Sequence, residues 1–171
     1  MTDVDYDFTN PTPAKPAKAI KQKVEMTVLE KLRGELAKKV RRPDIFLEVP
    51  ERTEMAVSYS PNVTQQQVRA WRRNAGEDTK KGMDATVFAC LVLANTCTGI
   101  MLGGELVTDD AGDPLGFGSD EIMQMVNADR VQDAIRAIYV VEPHIEATAL
   151  AVMEAAGFND SVEQVDPTKT P

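Results

Sequence analysis

Few side chains in this sequence have the type and spacing that chemistry needs. His144 is the only histidine. An imidazole can serve as a general base beside a nucleophile, but no G-x-S-x-G or equivalent motif accompanies it. It follows Pro143 in the first turn of a predicted helix and reads as a surface residue. A histidine-based metal cluster cannot be built from one histidine. Cys90 and Cys97 fall seven residues apart on one predicted helix. Their α-carbons would stand about 10 Å apart at the helical rise, too far for a disulfide. Both read as buried free thiols, a setting that disfavours the thiolate.

The turn Asp109, Asp110, Ala111, Gly112, Asp113, Pro114 gathers three carboxylates. A calcium loop needs acids at alternating positions, a Gly at the sixth and a Glu at the twelfth. That spacing fails, and Asp and Gly are also what a tight turn requires. The glycines from Gly99 to Gly104 lack the strand-to-helix setting and the following lysine of a phosphate loop. The sequence therefore predicts no catalytic residue, no cofactor site, no metal site and no enzymatic activity. A polar pocket around His144 or Cys90 would reverse this. So would an open cleft along the helix of Phe88 with converging ionisable side chains.

Composition narrows the class further. The 171 residues amount to about one domain, 43% apolar and 27% charged, as in ordinary soluble globular proteins. Aromatic residues make up only 5%, so the predicted core is aliphatic, with Met as filler. The net charge of −8 argues against a general nucleic-acid binder. The charge is unevenly placed. Asp3, Asp5 and Asp7 are the only charged residues among the first ten, residues 15–42 carry ten bases against three acids, and the rest is strongly acidic. The basic run reads as a solvated helix face. Nucleic-acid contact by this arm is the weaker alternative, because no aromatic residue is interleaved with the bases. An acidic, polar start predicts no secretory leader and a cytoplasmic setting.

The elements that would position these residues follow from periodicity. Residues 1–19 are Pro-rich without an apolar period and read as a disordered leader. Ile20, Val24, Val28, Leu32, Leu36 and Val40 recur every four residues and predict a basic amphipathic helix over residues 20–42. Thr27 with Glu30 is a capping box that would start it later. Arg41 and Arg42 suit its C-terminus, and Pro43 would stop it. Its narrow stripe can pack on the body or dock on another chain. Val24, Val28, Leu32, Leu36 and Val40 are the candidate partner-binding residues.

A globular α+β domain is expected over residues 43–158, mostly helical with one or two small β-hairpins. Strands Ile45 to Val49 and Met55 to Tyr59 form the first. Gly103-Gly104 turns the second, between Ile100 to Leu102 and Glu105 to Val107. Thr64 with Gln67 opens a helix whose inner face carries Val68, Trp71 and Ala75, with Arg69, Arg72 and Arg73 around its rim. Met83 to Gly99 is the longest apolar run and predicts a central buried helix, capped by Asp84 and closed by Gly99 in the left-handed conformation. It is too short, and too broken by Asn95, Thr96 and Thr98, to span a membrane. Ser119, Asp129 and Pro143 mark the starts of three further helices, the last ending at Gly157. A flexible tail is expected over residues 159–171.

The order of these parts carries a resemblance. A polar arm precedes the strand pair Ile45 to Tyr59, then the Trp71-Arg72-Arg73 helix, the Phe88-Ala89-Cys90 helix, the Gly99-Ile100 hairpin with its Asp-Gly turn, and short Ala-rich helices. From about Ile45 to Pro167 the chain resembles small tail-assembly proteins of long-tailed, siphovirus-type actinobacteriophages, and looks like a tail assembly chaperone. The resemblance implies a non-enzymatic partner of the tape measure protein, acting in the host cytoplasm during tail tube assembly and absent from the mature virion. The tail tube protein and a second copy of the chain are further implied partners; nucleic acid and membrane are not. The alternative is a structural or adaptor subunit of the virion tail or neck.

Overall fold

The computed structural model describes residues 27–158. The described residues divide into two units, one ending at Lys39 and the other beginning at Val40. Of the first, the described part is one helix, α1 (Val28–Ala37). The capping box forms as expected. Thr27 Oγ1 accepts from the Glu30 amide, and the Glu30 carboxylate accepts from the Thr27 amide. The helix ends five residues before the predicted stop. Lys38 is its C-cap in an extended conformation, so Arg41, Arg42 and Val40 lie beyond it. Gly34 weakens the helix, and none of its residues is buried among the described residues. The predicted turns before Thr27, Val24 included, lie outside the described residues.

The second unit is α+β. β1 (Ile45–Glu48), β2 (Met55–Tyr59), β3 (Cys97–Leu102) and β4 (Glu105–Leu106) form one antiparallel sheet in the order β1-β2-β3-β4. Both predicted hairpins are present, and β2 pairs with β3 to fuse them. Gly103 and Gly104 both take positive φ, as a two-residue hairpin turn demands. Alternation along the strands buries Val57, Tyr59 and Ile100 on one face and leaves Phe46 and Leu106 exposed on the other.

The helices are α2 (Gln65–Asn74), α3 (Ala85–Thr96), α4 (Asp120–Met125), α5 (Val131–Tyr139) and α6 (Glu142–Ala155). α3 is central: it packs against α2, α5 and α6. Its Cys90, Val92 and Leu93 join Val57, Tyr59 and Ile100 of the sheet, and Ile135, Tyr139, Ile145 and Val152 of α5 and α6, in one buried cluster. Asp84 caps α3 through the Val87 amide at 2.9 Å.

The end of α3 differs from expectation. The helix stops at Thr96 and the chain passes directly into β3. Gly99 is therefore an extended strand residue opposite Ser58, not a helix terminator. It is small for packing reasons: a β-carbon there would stand 2.6 Å from Leu106 Cδ1. β-Branched Thr96 and Thr98 favour this switch to strand. The pairing shifts between Ser58 and Tyr59, so Thr98 is an extra residue between the partners Gly99 and Cys97.

Two predicted caps also need correction. Arg130, not Asp129, is the N-cap residue of α5, and its guanidinium reaches Asp133 at 3.0 Å. Ser119 is the N-cap residue of α4, but its hydroxyl accepts from the Gly116 amide instead of capping the helix. Pro143 lies in the first turn of α6 as expected. Gly157 closes α6, with its amide on Glu154 and that of Phe158 on Met153. Between α5 and α6, Val140 holds φ 68° and ψ −49°. The Val141 amide there donates to the Tyr139 carbonyl at 2.7 Å, which closes a three-residue turn. Such a turn is strained for a β-branched residue.

Candidate functional site

The residues singled out for chemistry do not come together. Cys90 is buried in α3, whereas Cys97 begins β3 and is half-buried, so the two thiols are on different elements. Burial pushes both thiols above their ordinary value, which keeps them protonated. His144 is half-buried in the first turn of α6, not fully on the surface as expected. Its Nδ1 has no hydrogen-bond partner among the described residues. In the acidic turn, Asp109 Oδ1 accepts from the amides of Ala111 at 2.8 Å and Asp113 at 2.9 Å. That is the turn-forming role expected of it. Trp71 is a core residue, as expected, and the arginines of α2 stay exposed around it.

The most buried polar contact joins Tyr59 of β2 to Tyr139 of α5, hydroxyl to hydroxyl at 2.6 Å. Phe117 packs beside both rings, with centroids 6.4 and 6.3 Å away. Burial drives the Tyr139 phenol up to about 12 and Tyr59 further in the same direction. This pair fastens the sheet to the helices. It is closed off and has no access for a substrate.

Among the described residues, two open surfaces besides the outer face of the sheet bear on binding. The first is α1. Val28, Leu32 and Leu36 lie on one side of it with Leu29 beside them, and all four are exposed, Leu36 at 77%. The candidate residue Val40 is also exposed, outside any helix or strand, at the start of the second unit.

The second is a groove of about 610 Å³ between α2, α3 and α6. α2 supplies Gln65, Val68 and Arg72. Met83 and Ala85, Phe88 and Ala89 of α3 form the floor. Glu146, Ala149, Leu150 and Met153 of α6 form the other wall, and Phe158 closes one end. Sequence reasoning missed it. An α3 apolar all round was expected to be covered on most sides, yet Phe88 lines an open groove. Two ionisable groups, Arg72 and Glu146, also line it. Each has a partner: Arg72 Nε stands 3.4 Å from Glu77, and Glu146 accepts from the Thr86 hydroxyl at 2.8 Å. The groove is of ligand-binding size, apolar with a few polar groups at its edge. It can bury side chains of a partner more readily than it can place a nucleophile.

No protein-family model matches the sequence, and no curated protein or solved structure matches it either.

Proposed function

We propose that this chain holds another polypeptide: a phage tail assembly chaperone that binds the tape measure protein and keeps it soluble in the host cytoplasm until the tube assembles. The family part of this reading rests on the resemblance in element order. The observation that supports the binding mode is the helix α1, whose apolar residues are all exposed. A helix whose apolar stripe is exposed among the described residues is suited to lie against an apolar helix of a partner. The acidic charge of the remaining chain keeps such a complex soluble.

Co-expression with the tape measure protein tests this. The soluble yield of that protein should rise severalfold. It should fall back when Leu32→Glu and Leu36→Glu are combined, since charge on the stripe removes the apolar contact. An unchanged yield with the native chain refutes the reading. Many copies of the chain in purified particles, counted by mass spectrometry, would assign it to the virion structure instead.

A further inference from the structure

An antiparallel sheet with one side on the core normally turns polar side chains outward on the other. This sheet does not. Its outward positions hold Phe46 of β1, Ala56 of β2, Met101 of β3 and Leu106 of β4, and the register sets the last three side by side. Phe46 is 63% exposed and Leu106 45%. Carboxylates flank the patch. Asp44, Phe46 and Glu48 stand at alternate positions and so share the outer face. Asp44 also accepts from the Thr98 hydroxyl at 3.1 Å. We propose that this acid-flanked apolar face is the docking site for helix α1 of a second copy of the chain.

Charge complementarity carries the choice of occupant. Residues 44–59 and 97–117 build the four strands and their turns, and they hold eight acids against one base. That base, Arg52, is already engaged by the carbonyls of Ala137 and Ile138. Residues 27–42 have the opposite character, with six bases against two acids. Their stripe of Val28, Leu32 and Leu36 is exposed, as the patch on the sheet is. Each surface thus offers apolar side chains bordered by charge of one sign, and the signs are opposite. The sizes agree as well. Val28 to Leu36 spans about 12 Å at the helical rise, and the face from β1 to β4 is about 14 Å wide at the usual strand spacing. The groove between α2, α3 and α6 is the poorer match, because one base and one acid line it and both have partners. A patch this small makes a transient contact, not a permanent one. The inference goes beyond the proposed function and does not rest on it. If α1 also binds a tape measure helix, the two contacts compete for one stripe, and self-association shelters it until that partner arrives.

Sedimentation velocity of the full chain tests this. The weight-average mass should rise with concentration through the micromolar range, and less so in about 1 M salt, where charges are screened within about 3 Å. Phe46→Glu disables the face, and Leu32→Glu with Leu36→Glu disables the helix. Each variant alone should associate about tenfold more weakly, having lost an apolar anchor, with an unchanged far-ultraviolet circular dichroism spectrum. Glu48→Lys, at an exposed position, should weaken association severalfold without removing an apolar contact. Mixing the Phe46 variant with the Leu32/Leu36 variant should restore a heterodimer, since one brings an intact helix and the other an intact face. Phe46→Glu should also leave any gain in tape measure yield in place, which separates this contact from that one. A native chain that stays monomeric throughout overturns the proposal. So does a mixture that fails to associate, or self-association that neither variant weakens.

Discussion

The helices α1 and α3 begin alike and end up in opposite environments. Each opens on a side-chain cap, Thr27 in one and Asp84 in the other. Each is 10 to 12 residues long and rich in aliphatic residues. Yet α1 has no buried residue, whereas Ala89, Cys90, Val92 and Leu93 of α3 are all inside the core. The difference lies in how apolar residues are distributed around the axis. α1 interrupts them with Glu30, Lys31, Arg33 and Glu35, so only one narrow side is apolar. α3 has no charged residue and can touch α2, α5 and α6 at once. Caps decide where a helix starts; the breadth of its apolar surface decides whether it is buried.

The sharpest way to break that comparison is to truncate one leucine in each helix. Leu93→Ala should cost about 2–5 kcal/mol in urea unfolding, because it opens a cavity in a packed core. Leu32→Ala should stay within about 0.5 kcal/mol, since Leu32 is half exposed. Equal losses would show that α1 is buried in solution.

A smaller effect tests how the sheet is fastened to α5. Tyr139→Phe removes one hydroxyl of the buried pair and should cost about 1–3 kcal/mol. The pair also predicts alkaline sensitivity. Both phenols ionise near 10.0 when unfolded but stay protonated well above that when buried, to about 12 for Tyr139. The unfolded state thus sheds protons first. Stability is full below pH 10 and falls as pH rises toward 12, by about 1.4 kcal/mol per pH unit for each tyrosine. Tyr139→Phe should make that decline shallower. Denaturant midpoints measured from pH 8 to 12 check both statements.

The smallest effects are at the caps. Asp84→Ala should lower global stability by about 1 kcal/mol, because α3 is part of the cooperative core. Thr27→Ala should lower helicity at α1, read by circular dichroism or amide exchange, and leave the global midpoint in place. A shift in that midpoint would tie α1 to the core.

The caps at Thr27, Thr64 and Asp84, the Gly103-Gly104 turn and Pro143 were all readable from the sequence, because each is set by residues within four positions of one another. The α+β class was readable for the same reason. The switch from α3 to β3 was not. It depends on Cys97 pairing with Tyr59, a contact no local pattern announces. The end of α1 was misjudged because the four-residue period runs on past Ala37, although among the described residues no side chain of that stripe is buried. The groove was invisible because it depends on how α2 and α6 cross α3. Phe88 and Met153, two large apolar side chains, pack against the core only in part and line the groove with the remainder.

Arg52, in the turn between β1 and β2, adds a consequence for synthesis. Its guanidinium donates to the carbonyls of Ile138, at 2.7 Å, and Ala137, at 3.2 Å, across the C-terminal end of α5. Those acceptors are made 86 and 85 residues later. In a nascent chain that arginine therefore has neither acceptor until α5 has cleared the ribosome, and only then can the hairpin tip be latched from the far end of the domain.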